Sequence, residues 1–427
     1  MRRTIAIALA AATVAAGLAA CSSSGTNTAS AAKARGPIKI WYSNNKEEVT
    51  WGKAMATAWN AAHPKEKVTA QEIPAGKSSE ETIGAAITAG NAPCLILNTA
   101  PAAVPQFEKQ GGLVALDGFP GAKAYIEGRT GTRAEQYKSP DGKYYQMPWK
   151  SNPVMIFYNK KLFAKAGIVG QPPLATYDEF LATSRKVVKS GAAPFAIFPA
   201  PSSEFFQSWF DYYPLFIAAT DGKQLVENGK AQFTSPEGVA VADFWKKLYD
   251  EKLASREKYN GDSFADGKAA MAIVGPWAIA VYGGKVQWGV APVPTATAKS
   301  ADQIKTFSDA KNIAMYAACK NRATAWDVIK FATSKEQDGK LLELTGQMPL
   351  RDNLPSTYAA YFAAHPDYKT FAAQAAGTVE VPNVANSVSM WQTFRDAYSG
   401  SVIFGKNQVQ PALDGAATKI ESLVKQK

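Results

Sequence analysis

The chain has 427 residues, with 47 Lys and Arg against 36 Asp and Glu and a formal net charge of +11. The charges are scattered, in nothing longer than pairs such as Lys160-Lys161 and Lys246-Lys247. A nucleic-acid reader gathers them on one face, so no nucleic-acid partner is expected.

Arg2 and Arg3 precede an apolar, alanine-rich run from Ile5 to Ala20. Residues 1–20 read as a secretory signal and not as part of the fold. Its end, Leu18-Ala19-Ala20-Cys21, is similar to the bacterial lipobox. That resemblance implies cleavage before Cys21 and thioether-linked lipid with fatty acylation (palmitate) on Cys21. Two or more acyl chains anchor stably, because each buried CH₂ contributes about 0.8 kcal/mol. The expected location is therefore extracytoplasmic, on the outer face of the cell membrane. Residues 21–36 are small and polar, a flexible tether.

About 390 residues remain from Pro37, more than one hydrophobic core usually supports, so two lobes are expected. Ile38–Tyr42 reads as a first strand, opening into the polar loop Ser43–Glu47. The following helix carries Trp51, Met55 and Trp59 at helical spacing and ends near His63-Pro64. Lys67–Ile73 suits a strand, Glu80–Ala89 a helix ended by Gly90, and Cys94–Leu97 a short buried strand. This alternation predicts a mostly parallel sheet covered on both faces. Cys94 and Cys319 are the only other cysteines, and their pairing is left open by the sequence. Strand Val154–Tyr158 precedes a helix from Asn159 that Gly167 ends. Thr176 and Glu179 form a capping box, and Ser235-Pro236-Glu237 opens a helix whose Phe244, Trp245 and Leu248 are core.

Ala269–Val274 is a short apolar run that suits a buried strand. Gly275-Pro276 then breaks it, with Pro276 as first residue of a helix. Trp277 thus stands at a helix N-terminus beyond a strand end, where open α/β sheets place ligands. Strands are expected over Trp288–Val293 and Asn312–Ala318, helices over Ala323–Ala332, Ser387–Tyr398 and Pro411–Val424.

The phrase F-x-x-G-K-x-A-M-x-I-x-G-P-W at 264–277 resembles the family 1 extracellular solute-binding proteins, sugar receptors of ABC importers. P-x-x-x-x-P-x-x-x-x-Y-N-K-x-L-F at 148–163, G-Q-M-P at 346–349 and M-W-x-x-F-R-x-A at 390–397 resemble it too, in the same order. The resemblance implies an α/β, two-lobe periplasmic-binding-protein-like fold of class II. Residues 37–154 and 312–347 would form lobe 1, residues 155–311 and 348–427 lobe 2. Three hinge segments, near Val154–Tyr158, Asp309–Tyr316 and Gly346–Arg351, would cross between them. It also implies a monomer that hands a di- or oligosaccharide to ABC permease subunits.

A pyranose has an apolar C–H face and a hydroxyl rim, which call for an aromatic platform and polar edges. Trp149, Trp209, Phe210, Trp277 and Trp391 are the candidate faces. Asn45, Lys46, Asn98, Lys150, Asn152, Asp309 and Arg351 are the candidate edges. Asp211 is a further cleft carboxylate. A receptor for a charged ligand, such as a glycerophosphodiester or an acidic sugar, would instead use Lys46, Lys150 and Arg351 as charge partners. An exported glycosidase would need two carboxylates about 5–5.5 Å apart. No GxSxG elbow, HExxH or Cys/His zinc spacing occurs. Gly400–Asn407 fits G-x₄-G-K but has Asn407 where a phosphate loop needs Ser or Thr. No enzyme activity, cofactor or metal is expected.

Overall fold

The computed structural model describes residues 28–76, 78–199 and 201–426. The signal segment and Cys21 lie outside the described residues. Strands are numbered in chain order: β1 (Ile38–Tyr42), β2 (Val68–Glu72), β3 (Leu95–Thr99), β4 (Met147–Lys150), β5 (Met155–Asn159) and β6 (Phe195–Ile197). The ribbon β7 (Val226–Glu227) and β8 (Lys230–Ala231) follows, then β9 (Ala269–Val274), β10 (Trp288–Ala291), β11 (Thr306–Phe307), β12 (Lys311–Met315) and β13 (Thr378–Val379). Two sheets carry the two lobes, in the orders β2-β1-β3-β12-β4 and β10-β5-β9-β6.

Each sheet is buried by helices on its faces. In lobe 1, Trp51, Met55 and Trp59 of helix Lys46–Ala62 join Ile38, Ile40 and Leu97 in one core. In lobe 2, Phe244, Trp245 and Leu248 of helix Pro236–Asp250 pack with Trp391, Phe394 and Tyr398. The Thr176/Glu179 capping box and the Ser235 cap with Pro236 in the first turn form as expected.

The sheets are mixed, not mostly parallel. β1 runs parallel to β2 and β3, but β12 is antiparallel to β3 and β4, and β5 is antiparallel to β9 and β10. The reason is the crossing itself, since β12 and β5 enter their sheets from the other lobe and so run against their neighbours. Pro276 also differs from expectation. It precedes the five-residue helix Ala278–Tyr282, and Trp277 is the cap residue.

The chain crosses between lobes at 151–154, 308–310 and 346–350, and these segments are tied to one another. Ser151 N–H donates to Met348 O, Asp309 N–H to Asn152 O and Val154 N–H to Phe307 O, at 2.9, 3.1 and 3.0 Å. The Asn152 carboxamide donates to Gln347 Oε1 and accepts from Met348 N–H.

The last part of the expected tether is folded. Thr28–Lys33 is helical, Arg35 pairs with Glu66 and Asp327, and Ala323 N–H donates to Ala34 O. Cys94 and Cys319 form a disulfide, joining the start of β3 to the turn after β12 across 225 residues. It closes a long loop, so reduction is expected to cost lobe 1 about 2–5 kcal/mol. Denaturant unfolding with and without reductant measures this; equal midpoints would contradict it.

Candidate functional site

β9 leaves the lobe 2 core at Val274, and the chain turns at Gly275-Pro276. The indole of Trp277 folds back over Gly275 so closely that a Cβ there would lie 1.9 Å from its ring. Only glycine permits this approach. Phe210 meets the indole edge-on, with centroids 6.0 Å apart. The two rings wall a cavity of about 430 Å³ in lobe 2, with Phe206, Gln207, Asp262 and Ser263 also lining it. That volume lies within the roughly 300–1,000 Å³ of small-molecule sites. The half-buried indole and the polar groups beside it offer a stacking face and hydrogen-bonding edges.

The segment 202–207 separates this cavity from a second of about 460 Å³ between the lobes. There Glu80 and Gln106 of lobe 1 face Glu204, Phe205 and Gln392 of lobe 2. Near it, Lys311 pairs with Asp309 at 3.0 Å and lies 6.0 Å from the Trp209 ring centre. Burial alone would lower the Lys311 pKa, but Asp309 and Glu80 outweigh it and hold the ammonium above its usual range.

Of the expected faces, Trp277 and Phe210 come together; Trp149, Trp209 and Trp391 do not join them. Trp149 is fully buried in lobe 1, 5.1 Å from Trp51. Trp209 and Trp391 pack on each other at 5.6 Å within the lobe 2 core, with Tyr213 also against Trp391. β4 turns Trp149 inward, and the 3₁₀ helix Gln207–Phe210 and the helix Ser387–Tyr398 do the same for Trp209 and Trp391.

Several expected edges are structural as well. Lys150 is buried and pairs with Glu48 at 2.6 Å; burial pushes its pKa down while the carboxylate opposes this. Asn152 is spent on the hinge. Arg351 pairs with Asp338 at 2.9 Å and donates to Thr333 O. Asn45 caps helix Lys46–Ala62 by accepting from Glu47 and Glu48 N–H. Lys46 is exposed, and Asn98 on β3 is half-buried. Phe206, Gln207 and Asp262 are not marked in the sequence, because single residues in turns and in the short 3₁₀ helix Gln207–Phe210 carry no periodic signal. Asp262 does sit two residues before the F-x-x-G-K phrase.

The family model for bacterial extracellular solute-binding proteins matches residues 42–339. The chain belongs to that family. It is 26% identical over 400 residues to a diacetylchitobiose-binding protein of Streptomyces coelicolor, covering 88% of each chain. It is 23% identical over 353 residues to a maltodextrin-binding protein of Bacillus subtilis, covering 79% of each. The structure of a cyclic alpha-maltosyl-1,6-maltose-binding protein from Arthrobacter globiformis superposes with a TM-score of 0.76 at 20% identity. That likeness covers 92% of this chain and 99% of the other and concerns the fold. Solute-binding proteins of this family are binding proteins and act outside the cytoplasm.

Asp211 is not a cleft carboxylate. It is fully buried and caps the helix Tyr212–Ala219, accepting from Tyr212 N–H and from Gln207 Nε2. Burial pushes its pKa up to about 7. Its stabilising contribution is therefore intact below the unfolded carboxylate value, about 4. It is lost as pH rises through about 7, because the unfolded chain ionises first. Asp211→Asn is expected to flatten the fall in stability between about pH 4 and about pH 8. Denaturant unfolding at both ends of that window tests it; an unchanged slope would contradict the assignment.

Proposed function

We propose that this protein captures a neutral carbohydrate, a di- or oligosaccharide, for delivery to an ABC permease. The observation that carries the reading is the Trp277 indole, laid over Gly275 and met edge-on by Phe210 beside Gln207 and Asp262. An apolar sugar face stacks on such a ring while its hydroxyls reach the amide and carboxylate. The relatives named for diacetylchitobiose and maltodextrin support the same class of ligand.

The charged-ligand alternative is less favoured. Among the described residues lining the Trp277 cavity there is no Lys, Arg or His, and Asp262 contributes a negative charge. Lys150 and Arg351 are already engaged by Glu48 and Asp338. We further infer that a monomer works by closing its lobes about the three crossings, with no bond-making chemistry of its own.

Trp277→Ala is expected to weaken binding tenfold or more, about 1.4 kcal/mol, while the empty protein stays near its normal stability. Gly275→Ala, which displaces the indole, should act in the same direction. A thermal-shift screen against neutral oligosaccharides identifies the ligand, and saturation at 100 times Kd adds about 2.7 kcal/mol. Titration of each variant then supplies its affinity, and solution scattering with and without ligand reports closure. Normal affinity in a Trp277→Ala protein destabilised by about 3–5 kcal/mol would return the residue to the core.

Cys21 is the proposed lipid attachment point. Cys21→Ala should release the protein from membranes or block its maturation. Fractionation and N-terminal mass spectrometry check this; normal processing with full membrane retention would defeat it.

A further inference from the structure

The point where the chain enters lobe 1 is ringed by cations. Arg35 engages both nearby carboxylates, Glu66 at 3.0 Å and Asp327 at 2.6 Å. Lys65 and Lys67 flank Glu66, and Lys33 precedes Arg35 by two residues. Lys67 O accepts from Ile38 N–H, next to Lys39 on β1. On the other side, Asn321 Nδ2 donates to Pro37 O and so brings Lys320 to the same place. Lys33, Lys39, Lys65, Lys67 and Lys320 are all exposed. Residues far apart in sequence thus form a basic collar at the end of lobe 1 where β1 and β2 begin. The loops that follow β1 and β3 lie at the opposite end of these strands.

We propose that this collar is the surface on which the anchored protein rests against an anionic bilayer. The inference rests on the reading of Cys21 as the lipid attachment point. Seven Cα steps separate Cys21 from Thr28, a reach of at most about 25 Å in any conformation. Helix Thr28–Lys33 and Arg35 are docked on lobe 1, so the leash is shorter than the whole segment from Cys21 to Gly36. It keeps the collar close to the lipid surface. Attraction between lysines and anionic headgroups falls off within about 10 Å at 0.1 M salt, and a short leash makes that range accessible. Docking in this sense turns the Cys94–Cys319 end of lobe 1 to the membrane and leaves the strand ends near the cleft free.

The test uses the intact lipidated protein in vesicles of phosphatidylcholine alone or mixed with phosphatidylglycerol. Lysines are acylated by an amine-reactive reagent, and the rate at each is read by mass spectrometry. Lys33, Lys65, Lys67 and Lys320 should react severalfold more slowly on anionic vesicles than on neutral ones, and high salt should remove the difference. Lys161 and Lys189, exposed on lobe 2, should react equally on both. The double variant Lys65→Glu, Lys67→Glu should stay anchored but restore the reactivity of Lys33 and Lys320. Equal rates on both vesicles, with the protein still sedimenting with them, would overturn the proposal and leave the anchor standing. Protein that fails to sediment with either vesicle would overturn the anchor, and the collar proposal with it.

Discussion

The side chain of Arg129, buried in lobe 1, donates to Pro148 O, Trp149 O and Leu350 O at 2.7–3.0 Å and binds Asp338 in two places. Asp338 is itself fully buried and also holds Arg351. A buried charge is tolerated only when it is paired and its donors are satisfied. Here the donors are satisfied by carbonyls just before the first lobe crossing and at the end of the third. One cation therefore ties both crossings to lobe 1. Removing one partner of such a cluster costs about 3–5 kcal/mol, because the other charge is left unpaired.

Around that fixed point the crossings bond to each other as well as to the lobes. Asn152 and the Ser151–Ser308 hydroxyl contact at 2.6 Å lie at their centre. The hinge is thus a small polar knot in which side chains and backbone bond across the crossings. The Trp277 cavity sits to one side of it, built wholly from lobe 2. On the reading proposed above, this division separates the ring that would stack on the ligand from the segments about which the lobes would close.

Much of this was legible in the sequence. The core strands follow from short apolar runs, and the caps at Thr176 and Ser235 from their side-chain chemistry. The G-P-W phrase pointed to the indole that lines the cavity. The other tryptophans were harder to place. β4 is buried at every position, so it lacks the alternation that would tell an inward Trp149 from an outward one. Trp391 did carry a signal, since Trp391, Phe394 and Tyr398 share one helix face and mark a buried stripe. Asn152, Lys150 and Arg351 resemble ligand contacts in sequence because a polar hinge and a polar site use the same residue types. Only the partners distinguish them, and those lie between about 100 and 200 positions away or, for Arg351, one helix earlier.

The Cys94–Cys319 bond has a consequence for biogenesis. An exported chain leaves the membrane N-terminus first, so Cys94 emerges 225 residues before its partner. In that interval β1, β2 and β3 can associate, but β12, the next strand of the sheet, has not yet appeared. Lobe 1 must therefore wait, with an open sheet edge and a free thiol, while the sheet strands of lobe 2 pass through. Such an edge is a template for pairing with other chains, and a free thiol can form the wrong bond in an oxidising compartment. For this architecture, protection by a chaperone or a thiol-handling enzyme is most valuable during the gap between the two halves of lobe 1.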